Sequence, residues 1–219
     1  MSSDADSDLQ GVGRIPMADT GQMSEAQQAV YDKIVSGKRG RIVGPLRAAL
    51  HSPELADRWQ MLGEFLRYGT QLPARLSELA IIVTGRFWNC QLEWLIHAEV
   101  ARKEGLDAEI IESIRTAQSP TFSASLDAAV YEYTRELLEF GQVSDSTYRA
   151  LLTLIDEVFV VELTGVIGYY SMVAMTLNAH QVPLPKDEPG SLLEMPGDVE
   201  LSKPTRLPRA TLNGDLRSG

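Results

Sequence analysis

Residues 78–97 read ELAIIVTGRFWNCQLEWLIH, and the rest of the chain is interpreted outward from this stretch. It contains the only cysteine of the protein and two of its three tryptophans. Because an α-helix turns about 100° per residue, a helix that begins at position 90 brings four chemically different side chains within an arc of about 100°. These are Cys90, Glu93, Trp94 and His97. Such a face is typical either of a functional cleft or of polar groups satisfied inside a core.

Glu93 and His97 are four residues apart, the spacing at which two side chains on one helix face can contact each other. A carboxylate that hydrogen-bonds an imidazole fixes its tautomer and makes it a stronger base, which suits proton transfer near neutral pH. An ordinary Glu–His pair on a helix surface has the same spacing. The spacing therefore predicts a Glu93–His97 pair and leaves its role open.

Composition excludes several classes of function. The 219 residues suffice for one large domain or two small ones with a buried core. The formal net charge of −10 argues against nucleic acid and anionic membranes as partners. A single cysteine excludes an intramolecular disulfide and a multi-cysteine zinc site, which fits a cytoplasmic protein.

Targeting and membrane signals are weak. The first residues, MSSDADSDLQGVG, are acidic and lack the basic start and apolar core of a secretory signal. The longest mainly apolar run, Val158 to Met175, is near the length of a membrane span. It contains Glu162 and has no adjacent Lys or Arg, which favours a buried core helix. We therefore expect no membrane attachment.

Helix signals recur along the chain and no stretch shows a β alternation, so the sequence predicts an all-α protein of about seven or eight helices. A capping box at Ser24 predicts a helix over 25–36, and Ser52-Pro53 predicts the start of a helix that Gly69 ends. Further starts are expected at Pro73, Cys90, Asp107, Leu126 and Ser144 or Asp145, and a nearly all-apolar last helix is expected over 157–179. Asn89 is the predicted break before Cys90.

Composition shifts divide the chain into three parts. Residues 1–22 are predicted to be a flexible arm, residues 23–181 a single helical domain, and residues 182–219 an extended tail with six prolines and four glycines. A basic stretch, KRGRIVGPLR at positions 38–47, is predicted to be a loop on Gly and Pro grounds. A solvated basic turn and an anion-holding loop explain it equally well.

The pattern Glu-x11-Cys-x2-Glu-Trp-x2-His, from Glu78 to His97, resembles the core motif of the carboxymuconolactone decarboxylase family. That family shares its fold with the alkylhydroperoxidase D proteins, whose peroxidase branch has a second redox-active cysteine where this chain has Glu93. The decarboxylase branch typically has Glu followed by an aromatic or aliphatic residue, so Glu93-Trp94 is similar to that branch. The resemblance implies an alkylhydroperoxidase D-like all-α fold.

The resemblance also implies a function: a cofactor-free lyase, as in aromatic catabolism, that decarboxylates a small carboxylated lactone or keto acid. His97 would be the proton donor or oxyanion partner, Glu93 would orient it, and Glu78 would complete the proton relay. Trp88 or Trp94 would form the apolar wall. A second carboxylate of this anionic substrate would be held by one of three arginines, Arg41, Arg47 or Arg86. The family's habit and the apolar last helix suggest a homo-oligomer, a trimer or hexamer.

Three other functions remain open from the residues alone. A redox protein could use Cys90 with an external thiol, although the absence of a second cysteine prevents resolution inside the chain. Glu93, one turn away, would also raise the cost of forming a thiolate. A lactone hydrolase could use the same Glu–His pair, and a non-enzymatic oligomeric scaffold could bury it as core polar groups. No metal site is predicted, because Glu93 and His97 supply two ligands and His180 is more typical of a helix-end surface residue.

Overall fold

The computed structural model describes residues 13–16, 21–42, 44–185, 190–195 and 203–213. Within these ranges the protein has nine helices and two strands of two residues each. The helices are α1 (Glu25–Ser36), α2 (Gly44–Ala49), α3 (Pro53–Tyr68), α4 (Ala74–Phe87), α5 (Gln91–Lys103), α6 (Ala108–Arg115), α7 (Ser125–Phe140), α8 (Asp145–Leu152) and α9 (Glu157–His180). The strands are β1 (Thr121–Phe122) and β2 (Thr211–Leu212). The predicted all-α class is confirmed.

The helix that the sequence did not predict is α2, which occupies part of the expected basic loop. Gly44 and Pro45 form its first turn, where proline is tolerated because the N–H that it lacks would have no helical partner. Leu46, Ala48 and Ala49 are buried. The loop prediction is wrong at this point because burial of these apolar side chains outweighs the local signal of Gly and Pro.

The chain forms two compact units. Unit 1 consists of Met1–Thr70 with Met175–Pro189, and unit 2 of Gln71–Ala174 with Gly190–Gly219. The predicted boundaries after residues 22 and 181 stay a prediction. Of the predicted arm, only residues 13–16, 21 and 22 lie within the described ranges.

Unit 1 shows how two helix starts differ. At α1, the predicted capping box is present, because the Ser24 hydroxyl accepts from the Gln27 N–H and the Gln27 side chain accepts from the Ser24 N–H. At α3, Ser52 makes no side-chain capping bond, so the proline at position 53 rather than the hydroxyl marks the helix start. A Lys33–Asp57 ion pair of 2.8 Å joins α1 to α3.

Unit 1 also contains a cleft of about 600 Å³ beside this ion pair. Its walls mix charged and apolar side chains, among them Lys38, Glu64, Met61 and Phe65. None of the residues predicted to be functional lines this cleft.

Unit 2 is built on α4, which packs against α5 and α7. The turn from α4 to α5 is a Schellman motif: the Asn89 N–H donates to Arg86 O at 3.0 Å and the Cys90 N–H donates to Gly85 O at 2.9 Å. Asn89 has φ 52°, a left-handed conformation that asparagine tolerates better than most residues. The break predicted at Asn89 is therefore confirmed.

Helix α9 is long and apolar enough to cross a membrane by length and composition alone. Half of its most apolar 18-residue window is buried inside the protein. Glu162 within it accepts a hydrogen bond of 2.8 Å from the Gln71 N–H. A buried face and a satisfied carboxylate are features of a core helix in a globular protein.

The described parts of the C-terminal region lie against unit 2 rather than apart from it. Strand β2 pairs in parallel with β1, with Thr211 opposite Thr121 and Leu212 opposite Phe122. Leu193 and Leu207 are buried. The side chains of two glutamates on α7, Glu132 and Glu139, accept backbone N–H groups of the region, from Ala210 and Leu207 respectively.

Candidate functional site

The centre of the candidate site is a buried carboxylate–imidazole pair between two helices. His97 Nδ1, on α5, lies 2.7 Å from Glu78 Oε2, on α4. Both side chains are at most 8% exposed, so the pair is nearly shielded from water. A carboxylate bound to Nδ1 holds the proton on that nitrogen and leaves Nε2 as the ring atom that can exchange a proton with another group.

This geometry corrects the predicted pairing. Glu93 was expected to orient His97, with Glu78 completing a relay, but the carboxylate bound to His97 is Glu78. Neither oxygen of Glu93 has a hydrogen-bond partner among the described residues. The i, i+4 spacing would allow Glu93 to bind His97 within α5. Because α4 packs against α5, however, the Glu78 carboxylate also reaches the imidazole, and it is Glu78 that binds it.

Glu93 is an unpaired acid in the core. It is buried in the first turn of α5, close to Gly85 of α4, where an added Cβ would lie 3.7 Å from Glu93 Cγ. Burial raises the pKa of the Glu93 carboxyl well above its ordinary value of 4.5, and the nearby charge of Glu78 raises it further. A buried carboxyl with no donor to stabilise its anion favours its protonated form. Glu93 is therefore a buried carboxyl without a hydrogen-bond partner, with a raised pKa, within electrostatic reach of Glu78.

Cys90 is the N-cap residue of α5 and is buried. Burial raises the pKa of its thiol, and the Glu93 carboxyl adds to the effect whenever it is ionised. Backbone N–H groups of Glu93 and Leu92 oppose the shift in part. Reactive cysteines have the opposite environment, partly exposed and electropositive, because the thiolate is the nucleophile.

Two aromatic side chains complete the surroundings. Trp94 is buried and its indole N–H donates to Ser191 O at 2.9 Å. Tyr170, on α9, packs edge-to-face on the His97 ring with 4.9 Å between ring centroids. Sequence reasoning identified Trp94 but missed Tyr170, because nothing in the nearly all-apolar α9 marks one tyrosine as the partner of a histidine 73 positions earlier.

The comparison of sequences identifies the part of the chain that carries these residues. Residues 53–136 match the carboxymuconolactone decarboxylase family, and the matched segment contains Glu78, Cys90, Glu93 and His97. Residues 53–136 are called the family segment below. No functionally curated protein gives a significant match to the chain.

Solved structures agree on the fold of this family segment and its surroundings. An uncharacterized peroxidase-related protein from Silicibacter sp. TM1040 is similar at a TM-score of 0.63 and 16% identity, over 80% of this chain and 93% of that one. An alkylhydroperoxidase AhpD core protein from Ralstonia eutropha JMP134, also called peroxidase-related and uncharacterized, is similar at 0.64 and 13%, over 82% and 95%. A protein of unknown function from Agrobacterium tumefaciens, linked by name to AhpD and antioxidant defence, is similar at 0.57 and 17%, over 64% and 96%. At these identities the likeness shows the fold alone, and it confirms the alkylhydroperoxidase D-like class.

Arg86, which lies within the family segment, uses its guanidinium to bind other parts of the chain. Its guanidinium donates to the backbone oxygens of Arg115 and Glu194 at 2.8 and 2.9 Å, and to the side chains of Asn89 and Thr205 at 2.6 and 3.0 Å. The residue is fully buried, and burial lowers its pKa. These bonds favour a role in fixing the chain over a role in holding a substrate carboxylate.

The other predicted binding residues lie in different surroundings. Trp88 is the half-buried C-cap residue of α4, with its ring edge-to-face on Phe87 at 5.1 Å. Arg41 is exposed before α2 and Arg47 is half-buried within it, and both belong to unit 1. Their predicted contact with a substrate stays a prediction.

The His, Cys, Asp and Glu side chains are the protein groups that could bind a metal ion here. Over the described ranges, no three or more of them are grouped as ligands for an ion. The described site therefore combines two groups, the buried carboxyl of Glu93 with its raised pKa and the His97 imidazole bound to Glu78.

Proposed function

We propose that the protein is a cofactor-independent enzyme of acid–base chemistry, a carboxy-lyase acting on a small carboxylated lactone or keto acid. The observation that carries this proposal is Glu93, a buried carboxyl without a partner whose pKa lies well above 4.5. A carboxylic acid that keeps its proton at neutral pH is the group that such a reaction needs, because it can deliver that proton to a developing carbanion.

In the proposed reaction the bond between the substrate carbon and its carboxylate breaks and CO₂ leaves. The electron pair left behind delocalises into the conjugated carbonyl, and the neutral Glu93 carboxyl then donates its proton to the carbon. The Glu93 carboxylate that results is reprotonated through His97, which Glu78 holds in one tautomer. The sum is the loss of CO₂ and the uptake of one proton from solvent.

The family assignment supports this chemistry, and so does the low reactivity expected of Cys90. In this proposal His97 is the proton carrier, Glu78 orients it, and Trp94 forms part of the apolar wall. The substrate carboxylate that leaves needs no permanent cation beside it, because its charge is lost as CO₂ forms. An arginine for a second carboxylate remains a candidate role for Arg41 or Arg47.

The proposal is tested by assaying CO₂ release from a panel of carboxylated lactones and 2- and 3-keto acids. Glu93→Gln keeps the shape of the side chain but cannot donate an acidic proton, so we expect a loss of about 10²- to 10⁴-fold in kcat. His97→Asn is expected to lose activity to a similar extent, and Cys90→Ala is expected to retain it. Full activity in Glu93→Gln would refute the assigned role.

A second candidate is a single-cysteine redox protein, favoured by the structural likeness to proteins called peroxidase-related. The buried thiol with its raised pKa is a poor peroxide nucleophile at neutral pH. Peroxide consumption with an external thiol, measured in the parent protein and in Cys90→Ala, separates the two functions. A peroxidase activity that depends on Cys90 and survives in Glu93→Gln would transfer the assignment to redox chemistry.

The proposed enzyme is cytoplasmic and homo-oligomeric, a trimer or hexamer. Support for self-association comes from large apolar side chains exposed on single helix faces, such as Met61 and Phe65 on α3 and Val161 on α9. Light scattering coupled to size exclusion tests the subunit count. A monomer at micromolar concentration would remove this part of the proposal.

A further inference from the structure

His97 contacts two other helices, and each contact fixes a different part of the geometry of its ring. The hydrogen bond of 2.7 Å between His97 Nδ1 and Glu78 Oε2 fixes the position of one ring nitrogen. It does not fix the plane of the ring, because the imidazole can tilt about the line of a single hydrogen bond. The last side-chain torsion of histidine is also broad rather than confined to a few narrow values. A second contact is therefore needed to hold the ring plane.

That second contact is the ring of Tyr170 on α9. The centroids of the His97 and Tyr170 rings are 4.9 Å apart, and the two ring planes meet at 83°. Aromatic pairs favour such a nearly perpendicular arrangement, because the positive edge of one ring then faces the negative face of the other. Rotation of the imidazole about its Cβ–Cγ bond would change this angle and lose the contact.

Tyr170 is itself fixed by its surroundings. Tyr170 and its neighbour Tyr169 are both buried. The Tyr169 ring packs edge-to-face on the Tyr170 ring, with 5.3 Å between centroids and 76° between planes. Both residues lie inside the 24-residue helix α9, and a side chain supported by a helix is placed more precisely than one supported by a loop. The Tyr170 ring is thus a rigid surface for His97.

The two contacts of His97 are complementary. A half-turn about the Cβ–Cγ bond leaves the imidazole in the same plane, so the Tyr170 contact cannot distinguish the two ring orientations that this half-turn relates. The bond to Glu78 does distinguish them, since the half-turn would place a carbon atom where Nδ1 meets the carboxylate. Tyr170 therefore selects the ring plane, Glu78 selects the orientation within it, and together they define where Nε2 points.

We infer that Tyr170 is a positioning residue for His97, and that its ring holds the imidazole in the plane in which Nδ1 meets Glu78. The consequence for catalysis rests on the proposed function, in which His97 carries a proton, but the effect on the ring does not. Without an aromatic ring at position 170, the imidazole samples other planes and the bond to Glu78 weakens. The proton is then shared between Nδ1 and Nε2.

The test compares the His97 ring nitrogens of the parent, Tyr170→Phe and Tyr170→Leu by NMR of the full chain labelled with nitrogen-15 histidine. Long-range proton–nitrogen correlations, recorded over a pH series, distinguish the two neutral tautomers and the imidazolium. The parent and Tyr170→Phe keep the ring and are expected to share one tautomer, with the proton on Nδ1. In Tyr170→Leu the ratio of this tautomer to the other should fall roughly two- to tenfold, the equilibrium equivalent of one edge-to-face pair. His51 and His180, the other two histidines, are internal references and should not change.

Tyr131→Leu is the matched control. Tyr131 is a buried tyrosine of the same unit, and its ring packs on Phe122 with 5.5 Å between centroids. The same substitution there should lower the Tm and leave the tautomer ratio of His97 at the parent value. If Tyr170→Leu does not fold, two variants supply the measurement: Tyr170→Met, which fills space without a ring, and Tyr169→Leu, which removes the ring behind Tyr170.

Activity supplies a second readout. On a substrate found by the CO₂-release assay, Tyr170→Leu should lower kcat roughly two- to tenfold and leave KM nearly unchanged, because a misplaced proton carrier affects the chemical step rather than binding. Tyr170→Phe should match the parent in both constants.

Three results would overturn the inference. The first is a parent-like tautomer ratio in a folded variant that lacks the ring at position 170. The second is an equal change in Tyr170→Phe, which would assign the effect to the hydroxyl. The third is an equal change in Tyr131→Leu, which would make it a general loosening of the core. If no substrate releases CO₂, the proposed function fails, and the NMR comparison still decides the role of Tyr170.

Discussion

Two buried glutamates of unit 2, Glu93 on α5 and Glu136 on α7, have opposite electrostatic properties. Burial by itself raises the pKa of both carboxyls. At Glu136 this effect is overcome by donors from the start of α8, since the Ser144 N–H lies 2.7 Å and the Thr147 hydroxyl 2.8 Å from its oxygens. Arg135 adds a charge 3.7 Å away, and the pKa of Glu136 ends below 4.5. At Glu93 there is no donor and the pKa is raised.

The difference shows that burial alone does not decide the charge of a carboxyl. Three glutamates surround the guanidinium of Arg135, and the group as a whole is satisfied by hydrogen bonds. Such a cluster holds helices and the C-terminal region in place. An unpartnered acid costs stability, and a cost of this kind is typical of sites that a protein keeps for function.

The largest expected effect comes from breaking the satisfied cluster. Arg135→Met removes the cation shared by Glu132, Glu136 and Glu139 and leaves these three neighbouring carboxylates without an ion-pair partner. We expect a loss of about 3–5 kcal/mol in the free energy of unfolding. Urea denaturation at pH 7 measures it. Arg58→Met, which breaks an exposed salt bridge with Glu54, is the control. An equally small loss of unfolding free energy in Arg135→Met would show that the Arg135 cluster contributes no more than a surface pair.

The second effect has the opposite sign. Because the folded-state pKa of Glu93 is raised, the folded protein holds a proton that the unfolded chain releases above about 4.5, and stability falls as pH rises through that interval. Glu93→Gln removes this penalty, so the variant should be more stable than the parent by an amount that grows by about 1.4 kcal/mol per pH unit above 4.5. The difference in stability stops growing once the pH exceeds the folded-state pKa of Glu93. Below pH 4 the variant and the parent should be equally stable.

Thermal unfolding between pH 4 and 8 measures the Glu93 effect. Glu104→Gln, an exposed change at the C-cap of the same helix, is the control and should leave the difference flat across this range. A Glu93→Gln curve parallel to that of the parent would show that Glu93 is ionised in the folded protein.

A smaller effect of the normal sign is expected at Glu136. Its folded-state pKa is lowered, so its ionisation stabilises the protein above 4.5, and that stability is lost as pH falls through the folded-state value. Glu136→Gln should therefore cost about 1–3 kcal/mol at pH 7 and progressively less in acid. The same pH series compares the two glutamates directly. If Glu93→Gln and Glu136→Gln changed the stability at pH 7 in the same direction, the proposed difference between the two carboxyls would be wrong.

The smallest expected effect separates the two causes of the raised pKa of Glu93. Desolvation is the first cause of its raised pKa and the charge of Glu78 the second. Glu78→Gln removes only the second, so the pKa of Glu93 should fall but stay above 4.5. Carbon-13 NMR of labelled glutamate side chains follows the titration. An unchanged Glu93 titration in Glu78→Gln would show that the two carboxyls do not interact.

Local signals along the chain were sufficient for most helix boundaries. The capping box at Ser24, the break at Asn89 and the glycines after α5 and α7 mark ends that the structure confirms, because caps and left-handed turn residues act on their immediate neighbours. The helix over Gly44–Ala49 was missed, since burial of Leu46 and its neighbours depends on residues far away in sequence.

The sequence by itself determined the motif, the all-α class and the identity of the polar side chains in the core. Only the tertiary structure decided which carboxylate pairs with His97, which stays unpaired and that Tyr170 packs on the imidazole. The physical reason is that the two competing carboxylates lie at different separations from His97 along the chain. Spacing within α5 shows which groups can meet, but Glu78 lies 19 residues from His97, and only the packing of α4 against α5 decides between two competing acceptors.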